Sequence, residues 1–315
     1  MCNSLCVHNT ISLFMLFLMF NIPVLSVNEY KIKIKEKRRL TMVARVITFG
    51  LQKGGVSKTT TTGIMTYLMS KEKKKVLAVD FDSQGNLTEL LTNQPANNFL
   101  NKSIFEAIAL REYKQPSDFI YQVNDYIDVL PANNLLSSYP RWLYTNNLPN
   151  IEEKVFYKGS SVSQLNLMLE IIKSEYDYIL IDTPPALSEQ TTNALAASDY
   201  VVVLYECSKF CYSAIENFLE TIELIQNSVN KGIINLGILR TLSDKRRKDA
   251  HFFNEVIEKE YPKLVFETII TRKATTGRLP LRGFDKNHEL DEALSQYVDF
   301  YDEILQRIIE SEDKQ

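Results

Sequence analysis

The sequence predicts an α/β protein in which a mostly parallel sheet carries helices on both faces. Two observations lead to this prediction. Short, continuously apolar segments recur along the chain, and helix-forming segments separate them. Strands that are apolar throughout are buried on both faces, which is typical of parallel sheets. Ligands of such sheets bind beyond the carboxyl ends of the strands, so we expect functional residues directly after strands.

The first predicted strand covers residues 43–50, and a glycine-containing loop and a helix at about 58–70 follow it. Further strands are predicted at 76–82, 126–132, 176–186, 199–206, 234–241 and 264–270. Further helices are predicted at 163–174, 211–227, 248–260 and 289–310. The segment 92–125 has the least regular pattern, and we expect it to be an exposed excursion.

The composition is that of a folded protein, with 315 residues, 45% of them hydrophobic and 24% charged. The net charge of −3 provides no global basic field, so any contact with DNA has to come from a local patch. The sequence has three histidines, His8, His251 and His288, which lie far apart. We therefore do not expect a histidine-based metal site or catalytic triad.

The four cysteines form two pairs in the sequence, Cys2 with Cys6 and Cys207 with Cys211. The spacing of the second pair suits two faces of one helical turn better than a zinc site. We therefore expect plain reduced thiols in a cytosolic protein.

Residues 1–41 differ from the rest, because 11–27 is apolar enough for a signal peptide or a short membrane anchor. A third interpretation is translated upstream sequence. Arg38-Arg39 can be encoded as AGG-AGG, a ribosome-binding sequence, two codons before Met42. We favour this interpretation, in which the functional chain is a single domain at 42–315. Residues 1–41 hold six basic and two acidic residues, so their removal changes the net charge from −3 to −7.

The stretch LQKGGVSKTTTT, residues 51–62, resembles a phosphate-binding loop but departs from its general pattern. That pattern is a glycine, four free positions and Gly-Lys-Ser/Thr. Gln52 and Ser57 stand where its glycines belong. Gly54 and Gly55 would let successive N–H groups surround a phosphate, and Lys58 would reach the β- and γ-phosphates. A lysine- and glycine-rich surface turn is the alternative.

Aspartates follow two other predicted strands. VDFDSQGN places Asp80 and Asp82 beside the loop, and ILIDTPP brings Asp182 to the same sheet edge. An acid at such a strand end typically holds Mg²⁺. The Thr59 hydroxyl is a further candidate ligand. Each aspartate alone could instead cap a helix, but their order, each after a strand, indicates a site for phosphate and Mg²⁺ with Thr59, Asp182 and Asp80 around the metal.

The segments KGGVSKTT, VDFDSQGN and YDYILIDTPPALSEQTTNAL resemble the signatures of the ParA/MinD-type ATPases, which are P-loop NTPases with a deviant Walker A loop. Among these, the ParA partition ATPases are the most similar, over most of 45–310. The resemblance implies that Lys53 crosses a dimer interface to the partner's nucleotide and that Asp82 orients the attacking water. It also implies that Asp182 binds Mg²⁺ and that the loop binds the phosphates, through Lys53, Gly54, Gly55, Val56, Ser57, Lys58, Thr59 and Thr60.

The function implied by the resemblance is a cytoplasmic, nucleoid-associated switch. ATP with Mg²⁺ would join two copies, the dimer would bind DNA without sequence preference, and slow hydrolysis would be stimulated by a ParB-like centromere-binding partner. The alternative is a nucleotide-gated regulator of replication or transcription in which hydrolysis is incidental. Ser57 replaces the usual glycine, and we expect the backbone there to avoid positive φ, since only glycine adopts it freely.

Other members of the same fold are less compatible with the sequence. A MinD-like membrane ATPase needs a basic amphipathic tail, whereas DEILQRIIESEDKQ at the end is acidic, and no membrane contact is expected. An iron protein of the nitrogenase type needs cysteines placed to share a cluster, and a tyrosine autokinase needs a terminal tyrosine cluster. The sequence provides neither.

Two late basic clusters are the candidate DNA contacts, although solvated loops are the simpler interpretation of each. One is Lys245-Arg246-Arg247-Lys248, and the other comprises Arg272, Lys273, Arg278 and Arg282. We select Arg246, Arg247, Arg272, Lys273 and Arg278 from them. The pairs Arg240-Thr241 and Thr271-Arg272 are suggested as adenine contacts from their strand-end positions alone.

Overall fold

One eight-stranded sheet runs through the computed structural model, which describes residues 43–149, 151–243, 248–284 and 288–314. Its order is β3-β4-β2-β5-β1-β6-β7-β8, and every neighbouring pair is parallel except β3 with β4. The strands are β1, Arg45–Gly50; β2, Val76–Asp80; β3, Tyr121–Gln122; β4, Ile127–Leu130; β5, Tyr178–Asp182; β6, Tyr200–Glu206; β7, Ile234–Ser243; and β8, Val265–Thr271. The predicted fold class is confirmed.

Helices connect the strands. They are α1, Lys58–Lys71; α2, Asn86–Thr92; α3, Ile104–Ala109; α4, Tyr139–Thr145; α5, Gln164–Ile172; α6, Glu189–Ala196; α7, Lys209–Ser228; α8, Lys248–Glu260; α9, Ala274–Gly277; α10, Leu279–Arg282; and α11, His288–Glu312. Short 3₁₀ turns cover Ala96–Phe99, Pro116–Phe119, Asn134–Ser138, Ser161–Ser163 and Lys173–Glu175.

Helices cover both faces of the sheet because alternate residues of a strand point to opposite sides. In β1, Ile47 and Phe49 belong to a buried cluster with side chains of α1, α7, α8 and α11. Val46 belongs to a second cluster, with side chains of α3, α4, α5 and α6. The central strands are therefore mostly apolar on both faces, which is the pattern that predicted them.

The segment 92–125 is not an exposed excursion, and that prediction was wrong. Ile104, Phe105 and Ile108 of α3 are fully buried against the second cluster. A capping box at Ser103 and Glu106 begins the helix, and β3 pairs antiparallel with β4 at the sheet edge. The elements are short, so the sequence pattern was too brief to show their period.

The last helix closes the opposite edge of the sheet. The Glu303 carboxylate of α11 accepts hydrogen bonds from the backbone N–H groups of Glu267 (2.8 Å) and Thr268 (3.0 Å) in β8. Gln296 accepts another from the Thr271 N–H at 3.1 Å. An edge strand with unpaired N–H groups is a template for aggregation, so α11 protects the sheet as well as completing its core.

The prediction of reduced thiols is confirmed for Cys207 and Cys211, but the two residues do not lie on one helical turn. Cys207 and Cys211 are buried, free thiols. Only Cys211 lies in α7, whereas Cys207 directly follows β6. Burial raises the pKa of the Cys207 thiol to about 11, so this side chain is an unreactive part of the core.

The predictions about residues 1–41, including Cys2 and Cys6, lie outside the described residues. Within the described part of the chain, no helix combines the length and the apolar character needed to cross a membrane.

Candidate functional site

The loop between β1 and α1 lies at the carboxyl edge of the sheet, with open space beside its two glycines. Leu51 and Val56 are buried and anchor it, while Gly54 and Gly55 are exposed. A Cβ atom added at Gly55 would meet no atom within 4 Å, and one at Gly54 would meet only Pro185 at 3.8 Å. Gly55 has a φ of +79°, which glycine adopts without cost. The open space beside this backbone is where phosphates would be bound.

Ser57 adopts a φ of +65°, so the expectation that it avoids positive φ was wrong. It stands in the left-handed region, and its carbonyl accepts the N–H of Thr61 at 2.8 Å. The turn into α1 requires this conformation whichever residue occupies the position. For a residue with a Cβ atom, this left-handed backbone conformation costs about 1–2 kcal/mol.

Replacing Ser57 by glycine should relieve this strain and raise the free energy of unfolding by about 1 kcal/mol, because glycine's greater freedom when unfolded offsets part of the gain. Urea unfolding without nucleotide measures the effect. The matched control is Ser57→Ala, which keeps the Cβ atom and should give no such gain. Equal stability of all three proteins would show that the loop is not strained at this position.

Lys58 begins α1 and points back across the loop. Its side chain is 7% exposed, and its ammonium group donates to the carbonyls of Lys53 at 2.6 Å and Leu51 at 3.3 Å. Burial lowers its pKa, and the charges of Asp182 and Asp82 oppose that shift. A buried cation held against the loop backbone is suited to bind an anion placed beside the loop.

Thr59 and Asp182 meet between α1 and β5. The Thr59 hydroxyl donates to Oδ2 of Asp182 at 2.6 Å, while the buried Oδ1 of Asp182 has no hydrogen-bond partner among the described residues. Burial, and then the neighbouring Asp80 carboxylate, raise the pKa of Asp182 well above its usual range. An unpartnered carboxylate oxygen beside a hydroxyl and a second acid is an environment that a divalent cation would stabilise.

Asp80 is aligned with Asp182 across the β2–β5 pairing. It is fully buried, and burial raises the pKa of its carboxyl group to about 7. Its Oδ2 accepts the N–H of Thr88 at 2.8 Å and the Thr88 hydroxyl at 2.7 Å, and its Oδ1 accepts the N–H of Asp82 at 3.3 Å. Asp80 therefore satisfies an N–H group in the first turn of α2. Direct binding of Mg²⁺ by Asp80 stays a prediction.

Asp82 and Lys53 lie on the more open side of the site. Asp82 is partly exposed and accepts the N–H of Gln84 at 3.0 Å, so its carboxylate is held on the turn after β2. Lys53 is also partly exposed, and its N–H donates to the carbonyl of Leu51 at 2.8 Å. Both side chains are placed near the loop, and the roles assigned to them stay predictions.

The family model described as AAA domain matches residues 44–235, which include the loop and all three aspartates. A relative from Bacillus subtilis, the sporulation initiation inhibitor protein Soj, is 31% identical over 76% of this chain and 89% of its own length. The chain belongs to the ParA-type ATPases. The chromosome partitioning protein ParA of Myxococcus xanthus is a further relative, 30% identical over 78% of this chain and 82% of its own length.

Two solved structures are similar to this ParA-type ATPase in fold. Cobyrinic acid a,c-diamide synthase from Mycobacterium smegmatis, with bound ADP and magnesium, superposes with a TM-score of 0.64 at 28% identity, covering 76% of this chain and 91% of that one. A plasmid partition protein from Borrelia burgdorferi bound to AMPPNP has a TM-score of 0.64 at 24% identity, covering 85% and 99%. The latter similarity concerns the fold alone.

The suggested DNA contacts of this ParA-type ATPase are only partly within the described residues. Arg246 and Arg247 lie outside them. Arg272 follows β8 and faces Glu206 at 3.4 Å, and Lys273 donates to the Ser295 hydroxyl at 2.8 Å. Arg278, at the end of α9, is exposed. Arg272 and Lys273 thus have partners within the chain, and their contact with DNA stays a prediction.

An adenine contact requires an accessible side chain at the strand end, and Arg240 is not accessible there. It is 3% exposed, forms an ion pair with Glu258 of α8, and donates to the carbonyl of Phe266 at 2.8 Å. The hydroxyl of Thr241 donates to the carbonyl of Val56 in the phosphate loop at 3.1 Å. Sequence reasoning missed this contact, because a threonine at a strand end carries no pattern that distinguishes it.

Proposed function

We propose that this chain is an ATP-driven switch that partitions DNA molecules together with a centromere-binding partner. The observation that carries the proposal is the convergence at one sheet edge of an open glycine loop, a buried lysine, and a carboxylate oxygen of Asp182 without a partner. The relative named for chromosome partitioning supports the cellular role.

Different residues of the site would bind ATP and promote its hydrolysis. The loop N–H groups and the buried Lys58 ammonium would bind the β- and γ-phosphates of ATP. Asp82, on the turn after β2, would orient the attacking water. Lys53 would reach the nucleotide bound by a second copy, so that each copy completes the other's site. Loss of the γ-phosphate would then release the dimer.

Magnesium fits the residues that are present. No group of three or more His, Cys, Asp or Glu side chains that could hold a metal occurs in the described part of the chain. Mg²⁺ usually keeps several waters and binds one or two protein groups plus substrate phosphates. Thr59 and Asp182 would hold it, and the related synthase structure contains magnesium with ADP. The ion would neutralise charge on the phosphate oxygens.

Binding of DNA needs exposed basic side chains, and two of them lie at the carboxyl edge of the sheet. Arg272 and Arg278 are exposed there, after β8. A dimer would double the basic surface, so ATP could raise an affinity for DNA that the monomer lacks. Nothing in this arrangement selects a base sequence, so we expect contacts with the phosphate backbone.

We expect the ATP-loaded protein to bind unrelated DNA sequences equally, with an affinity that falls steeply as salt rises. Arg278→Ala should lower the slope of log affinity against log salt by about one unit while ATP-driven dimerisation persists. The control is Lys231→Ala, which removes an exposed cation between α7 and β7, at the amino end of the sheet. Fluorescence anisotropy at several salt concentrations measures the slopes. DNA binding that is absent, or that ignores salt, would refute the DNA part of the proposal.

A nucleotide-gated regulator is the second candidate, because one relative is named as an inhibitor of sporulation initiation. The two functions differ in what hydrolysis does. ATP turnover stimulated by a DNA-bound partner protein favours partition, whereas full activity of a variant that binds but does not hydrolyse ATP favours the regulator.

A further inference from the structure

A hydrogen bond joins the phosphate loop to a strand far away in the sequence. Thr241 near the end of β7 is fully buried, and its hydroxyl donates to the carbonyl of Val56 at 3.1 Å, across 185 residues. Val56 is itself 1% exposed, so water has little access to this carbonyl. The hydrogen bond therefore restrains the Val56–Ser57 peptide group through a strand that lies outside the loop.

That peptide group joins Val56 to Ser57, and the residues on either side of Val56 have left-handed backbones, Gly55 with a φ of +79° and Ser57 with a φ of +65°. A trans peptide is planar, so its carbonyl and its N–H point in opposite directions. Holding the Val56 carbonyl toward Thr241 directs the Ser57 N–H the other way. Successive N–H groups turned in this manner form the anion-binding concavity of a phosphate loop.

We propose that Thr241 is a positioning residue that holds the Val56–Ser57 peptide in its phosphate-binding orientation and so compensates for the strain of a serine at position 57. This inference rests on the proposed binding of ATP by the loop. A strained conformation persists only where the surroundings over-determine it. A glycine at position 57 would adopt this conformation without strain. Because a serine stands there, the loop needs the hydrogen bond from Thr241 to keep its shape.

The backbone around Thr241 supports the same assignment. The next residue, Leu242, has a φ of +51°, and the pairing of β7 with β8 shifts register between Arg240 and Ser243. A positive φ is uncommon for a bulky residue. Irregularities of this kind re-aim side chains and occur next to active sites. The distorted end of β7 is thus consistent with a strand shaped to deliver the Thr241 hydroxyl to the loop.

The test compares variants at both positions by titrating the protein with a fluorescent, non-hydrolysable ATP analogue and Mg²⁺. Thr241→Val keeps the shape of the side chain and removes the donor, and it should weaken binding about tenfold. Thr241→Ser keeps the hydroxyl and should bind like the wild type. Thr66→Val is the matched control, since the buried Thr66 hydroxyl donates to the Thr62 carbonyl within α1 at 2.8 Å. It should leave the affinity unchanged.

The decisive measurement repeats Thr241→Val in a Ser57→Gly background. Because glycine needs no compensation, the loss of affinity there should fall below about threefold, which a double-mutant cycle records as coupling. Equal losses in both backgrounds, or no loss in either, overturn the inference. Urea unfolding of each variant shows whether it is folded. Failure of the wild type to bind the analogue would instead refute the proposed function.

Discussion

Replacing Lys58 by alanine should abolish measurable ATP binding. The Lys58 ammonium is the buried cation of the loop, and its hydrogen bonds to the carbonyls of Lys53 and Leu51 also hold the loop's shape. Alanine removes the charge that would face the phosphates and leaves both carbonyls without this donor. Breaking one side of a buried charge pair typically costs about 3–5 kcal/mol, which is a loss of affinity of two to four orders of magnitude.

Isothermal titration with ATP and Mg²⁺ measures this loss. The matched control is Lys71→Ala at the other end of α1, where the exposed ammonium lies over the Tyr67 ring at 4.9 Å from its centroid. That variant should bind ATP as the wild type does. Urea unfolding without nucleotide separates loss of the site from loss of the fold. Unchanged ATP affinity of a folded Lys58→Ala protein would remove the assignment of this loop to phosphate.

Lys53→Ala and Asp82→Ala should fail at different steps. The resemblance to the ParA-type ATPases implies that Lys53 contacts the nucleotide of a second copy, and its partial exposure is compatible with that contact. The alanine variant should still bind ATP but stay monomeric, and its turnover should fall. Cations that act in trans contribute up to about 10³–10⁵ in rate in other phosphoryl-transfer enzymes.

Asp82 follows β2 and is held by the N–H of Gln84 rather than by contact with Thr59 or Asp182. Asp82→Ala should therefore bind ATP and dimerise but not hydrolyse it, which traps the ATP dimer. Sedimentation velocity with and without ATP, together with phosphate release, distinguishes the two variants. Asp118→Ala, in the 3₁₀ turn that precedes β3, is a control that should behave as wild type. Monomers for both variants, or dimers for both, would contradict the assignment.

Much of the site could be predicted from the sequence because its parts are local. Gly54, Gly55, Lys58 and Thr59 follow β1 within a few residues, Asp82 follows β2, and Asp182 is the last residue of β5. Parallel strands bring their carboxyl ends to one edge whatever their order, so these residues had to be neighbours. The Thr59–Asp182 contact, across 123 residues, is the direct result.

Other features required the strand order. The alignment of Asp80 with Asp182 exists because β5 inserts between β2 and β1, and this places the two carboxylates side by side. The contact of Asp80 with Thr88 shows that Asp80 helps to begin α2, the capping role that the sequence left open as an alternative. Periodicity reports which face of an element is buried, but not which element covers it.

By itself the sequence determined the α/β class, the order of its main elements and the chemistry of the loop, since apolar period and motif spacing are properties of neighbours along the chain. The tertiary structure alone decided that Ser57 stands at positive φ, that α3 within 92–125 packs into the core, and that Thr241 contacts the Val56 carbonyl. Those outcomes depend on how distant segments pack. A backbone conformation that is strained locally is stable only when contacts from elsewhere in the fold hold it.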